Sequence, residues 1–195
     1  MVSLEQLSSL DCLLWLQSGQ SVAKTLAQHQ TTVSRHQRKC AQIFAIHMDK
    51  SHGEWRISGN TELLQLEREV HQAARLRAQS GLRLDVPRDQ APGLRSAMPA
   101  RWLIGASRLQ CTQHFSQLLR QRILDAWLVD REHDLPTDDT IALLPLARRS
   151  GFQGLAVRRE IQRLEPVQAL AERLAVHPSG VASGSTSPIN HQLKP

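Results

Sequence analysis

The sequence contains no tyrosine, and aromatic residues make up only 4% of its 195 residues. It also lacks any run of about 18 apolar residues, the length at which a membrane-spanning helix becomes a candidate. The N-terminus lacks the positively charged start of a secretory signal and carries Glu5 and Asp11 instead. We therefore expect no membrane partner and a cytoplasmic location.

Cysteine is scarce as well. Cys12, Cys40 and Cys111 are odd in number and far apart, which argues against a disulfide framework or a zinc cluster. Each lies in a stretch of helical apolar spacing, so we expect buried thiols. The histidines lack the close spacing and cysteine partners of a zinc site, and no phosphate-binding loop is present. We expect neither a metal nor a cofactor.

Acidic residues are absent from a whole segment, between Cys12 and Met48. That segment nonetheless contains Lys24, Arg35, Arg38 and Lys39. The formal net charge of the chain is +6. Positive charge concentrated in this way favours an anionic partner.

Helical spacing of leucines predicts a first helix over residues 4–15. Ser21 can cap a short second helix over residues 22–28. A third helix then opens at Gln30 or Thr31. Its predicted buried face consists of Val33, Cys40, Ile43 and Phe44. Three helices of this size with a tight second connection predict a helix-turn-helix.

The next segment predicts a hairpin and a long helix. Alternation over residues 55–58 indicates a strand after turn residues, which is typical of a small hairpin or wing. Residues 61–79 then form one helix with a narrow apolar seam of the kind that pairs helices. The seam consists of Leu63, Leu66, Val70 and Ala73. Prolines and glycines in residues 81–100 predict a linker.

The remainder alternates candidate strands and helices, which predicts an α/β arrangement. Strands are expected near residues 102–105, 140–146 and 155–157, and helices over residues 113–129 and 160–175. The acidic residues around Pro136 are expected to form a solvated loop rather than a catalytic pair. The Ser-, Gly- and Pro-rich residues 178–195 are expected to be disordered.

The outward face of the third helix has the side chains that contacts in the major groove require. Arginine bridges two acceptors of guanine, and the threonine methyl packs on that of thymine. Serine and lysine are suited to phosphates, which position a protein without specifying sequence. The predicted DNA-contacting residues are Ser21, Gln30, Thr31, Thr32, Ser34, Arg35, Arg38, Lys39, Lys50 and Arg56. The alternative is a solvated basic helix face.

Ser18, Ala23, Leu26, Gln30 and the run Thr32–Arg35 resemble the N-terminal pattern of LysR-type transcriptional regulators. The register continues without a gap to the end of the predicted wing, and the resemblance covers residues 3–80. It implies a winged helix-turn-helix, a dimer paired through the long helix, and a role at promoters. The family's effector domain has two lobes and about twice the length that remains here. We therefore expect one incomplete lobe without a working small-molecule pocket, leaving Trp102, Ile104 and Leu143 uncovered.

The predicted fold class is a mainly α winged helix-turn-helix with a long linker helix, followed by a partial α/β effector-like lobe. The predicted boundaries are 1–60 for the DNA-binding domain, 61–80 for the dimerisation helix, 81–100 for the linker, 101–177 for the lobe and 178–195 for the tail. The predicted function is a non-enzymatic, dimeric regulator that binds double-stranded DNA. The alternatives are a transposase- or recombinase-like DNA-processing protein, which needs a metal-binding carboxylate cluster, and a protein-interaction module that uses the long helix.

Overall fold

The structure is a computed structural model that describes residues 2–109, 111–130, 139–146 and 152–176, apart from the side chains of residues 96 and 97. Its N-terminal part contains four helices and a hairpin: α1 (Leu4–Leu16), α2 (Gly19–Thr25), α3 (Gln30–Ile43), β1 (His47–Ser51), β2 (Glu54–Ser58) and α4 (Glu62–Ala78). The predicted first helix, hairpin and long helix are confirmed. The predicted tail, residues 178–195, lies outside the described residues.

The start of α2 differs from the prediction. Ser18, not Ser21, is the N-cap: its side chain accepts a hydrogen bond from the backbone N–H of Ser21 at 3.3 Å. The helix consequently begins at Gly19, and Ser21 lies in its first turn. Ala27, with φ 51°, takes a left-handed conformation in the tight connection to α3, which opens at Gln30 as predicted.

The buried face of α3 also differs in one position. Val33, Cys40 and Phe44 are buried as predicted, but Ile43 is 42% exposed. His36 takes the fourth inward position instead, because its Nδ1 shares a 3.1 Å hydrogen bond with Ser9 Oγ of α1. The buried face of α3 therefore consists of Val33, His36, Cys40 and Phe44, and Ile43 lies at its edge.

The hairpin turns tightly at His52 and Gly53, whose φ values are 51° and 84°. Two consecutive left-handed residues match the twist of the flanking strands, which explains a glycine at the tip. Lys50 lies opposite Trp55 in the resulting register, and Asp49 lies opposite Arg56.

The C-terminal part is a five-stranded sheet with the strand order β4-β3-β5-β7-β6. Its strands are β3 (Leu82–Asp85), β4 (Trp102–Gly105), β5 (Ala126–Val129), β6 (Ile141–Pro145) and β7 (Gly154–Arg158). β3 pairs in parallel with β4 and β5, whereas β7 runs antiparallel to both β5 and β6. The accompanying helices are α5 (Ala91–Ala97), α6 (Thr112–Arg120) and α7 (Glu165–Val176).

The predicted linker over residues 81–100 is wrong. β3 lies in this range and pairs with two neighbours, and all four of its residues are buried. The strand is short and flanked by glycine and proline, so its pattern resembles a loop until its partners are known. The sheet therefore begins at Leu82 rather than near residue 101.

The predicted helix over residues 113–129 is also split. α6 ends at Arg120, Arg122 takes a left-handed φ of 59°, and β5 follows. Every residue of β5 is buried, and a short, fully buried strand has the same apolar content as a helix segment. The strands predicted near residues 102–105, 140–146 and 155–157 are confirmed, as is a last helix with Pro166 in its first turn.

The prediction of uncovered apolar faces is wrong as well. Trp102 and Ile104 are only 4% and 7% exposed, and Leu143 is half-buried. One core cluster joins the sheet to α5 and α7. A second joins α1 to α6, β5 and β7, so the N-terminal helices cover part of the sheet. No described helix is both long and apolar enough to cross a membrane.

Candidate nucleic-acid interface

The outward face of α3 carries basic and amide side chains without an acid. A shallow groove along this face is lined by Thr31, Thr32, Arg35, Arg38, Lys39 and Gln42. Arg35, Arg38 and Lys39 are exposed. Within the described residues, none of these three cations has an ion-pair or hydrogen-bond partner. Their charge is therefore free to meet a ligand.

The opposite side of α3 is held by α1. Ser9 is fully buried and bonds His36, and the side-chain amide of Gln37 donates to the Ser9 carbonyl at 3.5 Å. Val33 and Cys40, on this same side of α3, belong to the buried core clusters. Since α3 is fixed on this side, its basic face points to solvent in one orientation.

A second depression lies between α3 and the hairpin. Gln30, Ser34 and Arg38 line it from α3, and Lys50 lines it from β1. Arg108, from the loop after β4, lines it too. Sequence reasoning missed Arg108, because only the contact between the sheet and the N-terminal helices brings this loop residue to α3.

Two predicted hairpin residues do not lie together. Lys50 shares one face of the hairpin with Trp55, whereas Arg56 shares the other with Asp49. Arg56 also forms an exposed ion pair with Glu54 at 2.8 Å, which partly offsets its charge. Ser21 is half-buried in the first turn of α2. The structure thus brings the α3 residues and Lys50 together, and it places Arg56 elsewhere.

The apolar stripe of α4 is exposed. Leu63, Leu66 and Val70 are 65%, 58% and 64% exposed, and Ala73 is also at the surface. These residues recur at intervals of three and four, so they lie along one side of the helix. Large apolar side chains arranged in a row on a surface mark an interaction site.

The other face of α4 is buried and charged. Arg68 donates to Asp11 of α1, and Arg75 and Gln72 donate to Asp125 before β5. Arg83 of β3 also donates to Asp11 at 3.1 Å. Burial would raise the pKa of Asp11, but Arg68 and Arg83 outweigh burial and hold that pKa below its usual value. Asp125 joins α4 to the sheet, because it accepts hydrogen bonds from Gln72 and Arg75 of α4 and from the backbone N–H of Arg83 in β3.

The remaining reactive side chains are the candidate metal ligands and the thiols. Among the described residues, no group of histidine, cysteine, aspartate or glutamate side chains is arranged to hold a metal ion. Cys12 and Cys40 are buried, and burial raises the pKa of the Cys40 thiol to about 12. Cys111 is exposed, contrary to prediction, because it is the N-cap residue of α6 and not part of its apolar face. The predicted acidic loop around Pro136 falls on residues 131–138, which lie outside the described residues.

Comparison with known proteins gives matches among solved structures alone. No protein-family model matches the chain, and no curated protein sequence matches it. The solved structures include full-length OxyR C199D from Pseudomonas aeruginosa, with 16% identity and a TM-score of 0.41. They also include ArgP from Mycobacterium tuberculosis, at 17% and 0.34, and HinK, a LysR family transcriptional regulator from Pseudomonas aeruginosa, at 21% and 0.33.

Each of these matches covers 75% of the present chain. They cover 56%, 53% and 53% of the solved chains, so this chain spans about half their length. The structural neighbours are LysR-family transcriptional regulators.

Proposed function

We propose that the chain is a non-enzymatic, sequence-specific, double-stranded DNA-binding transcriptional regulator of LysR type, acting as a dimer. The N-terminal helices and hairpin would form a winged helix-turn-helix, with α3 as the recognition helix. One observation carries this proposal: the outward face of α3 presents Arg35, Arg38 and Lys39, exposed and without partners in the described structure. The resemblance to LysR-type regulators agrees with it.

The composition of that face fits contacts with both bases and backbone. Arg35 lies in the α3 groove with Thr31 and Thr32, a combination suited to guanine acceptors and a thymine methyl. Gln30, at the helix N-terminus, is placed where recognition helices present side chains to base edges. These residues would supply the sequence preference.

A second set is suited to phosphates. Ser34 and Lys50 line the depression beside the hairpin, and Arg108 adds a cation there. Lys39 lies further along the α3 groove. Contacts of this kind fix the position of a protein on the duplex and make its affinity dependent on salt.

The exposed stripe of α4 supports the dimer. Leu63, Leu66 and Val70 would be covered by a second copy of α4, since the opposite face of the helix is already buried against α1 and the sheet. A pair of subunits would present two α3 helices to one face of a duplex. Such symmetry favours partly palindromic sites with half-sites one helical turn apart.

A binding assay tests the proposal. Fluorescence anisotropy would compare the full chain on a duplex from its own upstream region with a scrambled duplex of equal length and composition. We expect preference for the upstream duplex, loss of binding in the R35A/R38A/K39A variant and retention in R163A, which removes an exposed arginine outside α3. Equal affinity for both duplexes, or an unaffected triple variant, would contradict it.

The same assay separates the DNA-processing alternative, which no observation in the structure favours. Binding is measured with and without Mg²⁺, and the duplex is afterwards run on a denaturing gel. A regulator leaves both strands intact under both conditions. Strand cleavage that appears only with Mg²⁺ would instead indicate metal-dependent chemistry.

A further inference from the structure

The parallel part of the sheet contains a position where ligands commonly bind in other proteins. The chain passes from β3 to β4 on one side and then crosses to β5 on the other, so the strand order reverses between β3 and β5. In open α/β sheets, the crevice outside the carboxyl ends of the strands at such a reversal is the usual ligand site. Asp85 ends β3 there, and Gly105 ends the neighbouring β4.

This crevice is filled by Trp15 of α1. The Trp15 side chain is fully buried, and its Nε1–H donates to Asp85 Oδ1 at 2.5 Å. The backbone N–H of Ser107, in the loop after β4, donates to the same oxygen at 2.9 Å. A Cβ atom on Gly105 would lie 2.3 Å from Trp15 Cζ2, so a glycine is required where the ring passes over the strand.

The polar contacts distinguish this arrangement from ordinary core packing. The buried acids Asp11 and Asp125 both accept hydrogen bonds from arginine side chains. Asp85, only 1% exposed, has an indole N–H and a backbone N–H as its described partners. A buried carboxylate without a cation is costly, and apolar packing of a tryptophan does not require one.

Trp102 provides the comparison within the same molecule. Its ring is also buried, but its Nε1 has no hydrogen-bond partner in the described structure. Core packing therefore accommodates one tryptophan without an acceptor, whereas the strand-end crevice supplies Trp15 with an acid, a loop amide and a glycine. The crevice thus holds a planar ring and accepts a hydrogen bond from its N–H donor.

We propose that the strand-end crevice formed by Asp85, Gly105 and Ser107 is a binding site for planar aromatic N–H donors of the indole class. Trp15 occupies this site in cis and thereby holds α1 on the sheet. The inference is independent of DNA binding. Because the occupant is part of the chain, an added small molecule should not enter the site in the unaltered protein.

Gln17 links the Trp15 site to the hairpin. The side-chain amide of Gln17 donates to the Leu14 carbonyl at 2.7 Å, and its Oε1 accepts from the backbone N–H of Trp55 at 2.5 Å. The end of α1 is thus bonded to β2 two residues after the occupant ring. Withdrawal of Trp15 from the crevice would move the anchor of the hairpin.

The test removes the Trp15 side chain from the crevice and supplies indole in its place. In the full-chain variant W15A, indole at millimolar concentration should raise the Tm by several degrees, and benzothiophene, which has nearly the same shape but no N–H, should raise it much less. The unaltered protein should show no shift, and W15A/D85L should lose the preference for indole. W102A opens a cavity without an acceptor, so it should not discriminate between the two compounds. Equal shifts in W15A, or none, would overturn the proposal.

A second measurement does not depend on whether W15A folds. The protein has four tryptophans, and the W15F variant assigns the indole N–H resonance of Trp15 in a ¹⁵N-labelled sample. Hydrogen exchange at this N–H should be slow and should accelerate in D85L, while exchange at Trp102 stays unchanged. Exchange as fast as that of the half-buried Trp55, or no selective effect of D85L, would show that the carboxylate does not hold the indole.

Discussion

Arg68 of α4 donates to Asp11 of α1 at 2.8 Å, and both side chains are only 1% exposed. Arg83 of β3 donates to the same carboxylate at 3.1 Å. One buried acid therefore joins the first helix, the long helix and the sheet. The N-terminal helices and the sheet are held by shared buried charges as well as by a shared apolar core.

Removing one member of this buried group should be strongly destabilising. R68A leaves Asp11 with one arginine in a site closed to water, and breaking a buried pair in this way costs about 3–5 kcal/mol. R56A removes an exposed, solvent-screened pair and should change the free energy of unfolding far less. Urea unfolding of the full chain measures both. Equal effects would show that Asp11 is not the joint between the helices and the sheet.

Stability should depend on pH through Asp85. Burial raises its pKa to about 7, although hydrogen bonds from Trp15 and Ser107 lower it in part. The folded state therefore keeps the proton at pH values where the unfolded chain has lost it. Relative to D85N, the unaltered protein should lose stability from about pH 4 to about pH 7, by at most ~1.4 kcal/mol per pH unit, and should level off above that range.

Asp11 serves as a control, because its pKa is shifted in the opposite direction from that of Asp85. Its folded pKa lies below the usual 3.8, so its contribution is present above that value and is lost as pH falls through the folded pKa. The stability difference between the unaltered protein and D11N should therefore shrink in strong acid. A difference between the unaltered protein and D85N that does not vary between pH 4 and 7 would contradict the raised pKa.

The α4 stripe should determine the oligomeric state. Glutamate at two of its positions, in L66E/V70E, places charge in the seam and should convert a dimer into a monomer at micromolar concentration. L164E is the matched control, since Leu164 is an exposed leucine outside α4, at 40%. Sedimentation of the full chain measures the change. A monomeric unaltered protein at high concentration, or a dimer that survives L66E/V70E, would exclude this seam as the interface.

The elements predicted correctly from the sequence are those set by local chemistry. Leucine spacing defines α1, and the turn residues around Gly53 define the hairpin. The sequence does not predict β3, because the residues between Gly81 and Pro87 become a strand only through pairing with β4 and β5. The sequence predicts helix at β5 because a fully buried strand shows no alternation.

The same division applies to the candidate site. The α3 face follows from helical spacing in one segment, so the sequence alone predicts that Arg35, Arg38 and Lys39 share it. Arg108 and the docking of Trp15 on Asp85 depend on residues distant in the chain, 70 positions apart in the second case. Neither local spacing nor composition contains that information. Contacts between the helices and the sheet decide both.

The most direct test of DNA recognition by α3 compares the R35A and K39A variants on a library of randomised duplexes. If Arg35 contacts a guanine, R35A should weaken binding by about 1–3 kcal/mol and relax the preference at one base position. K39A should weaken all sequences alike and lower the slope of log affinity against log salt by about one. R163A should match the unaltered protein. If R35A and T32A both leave affinity and base preference unchanged, α3 is not the recognition helix.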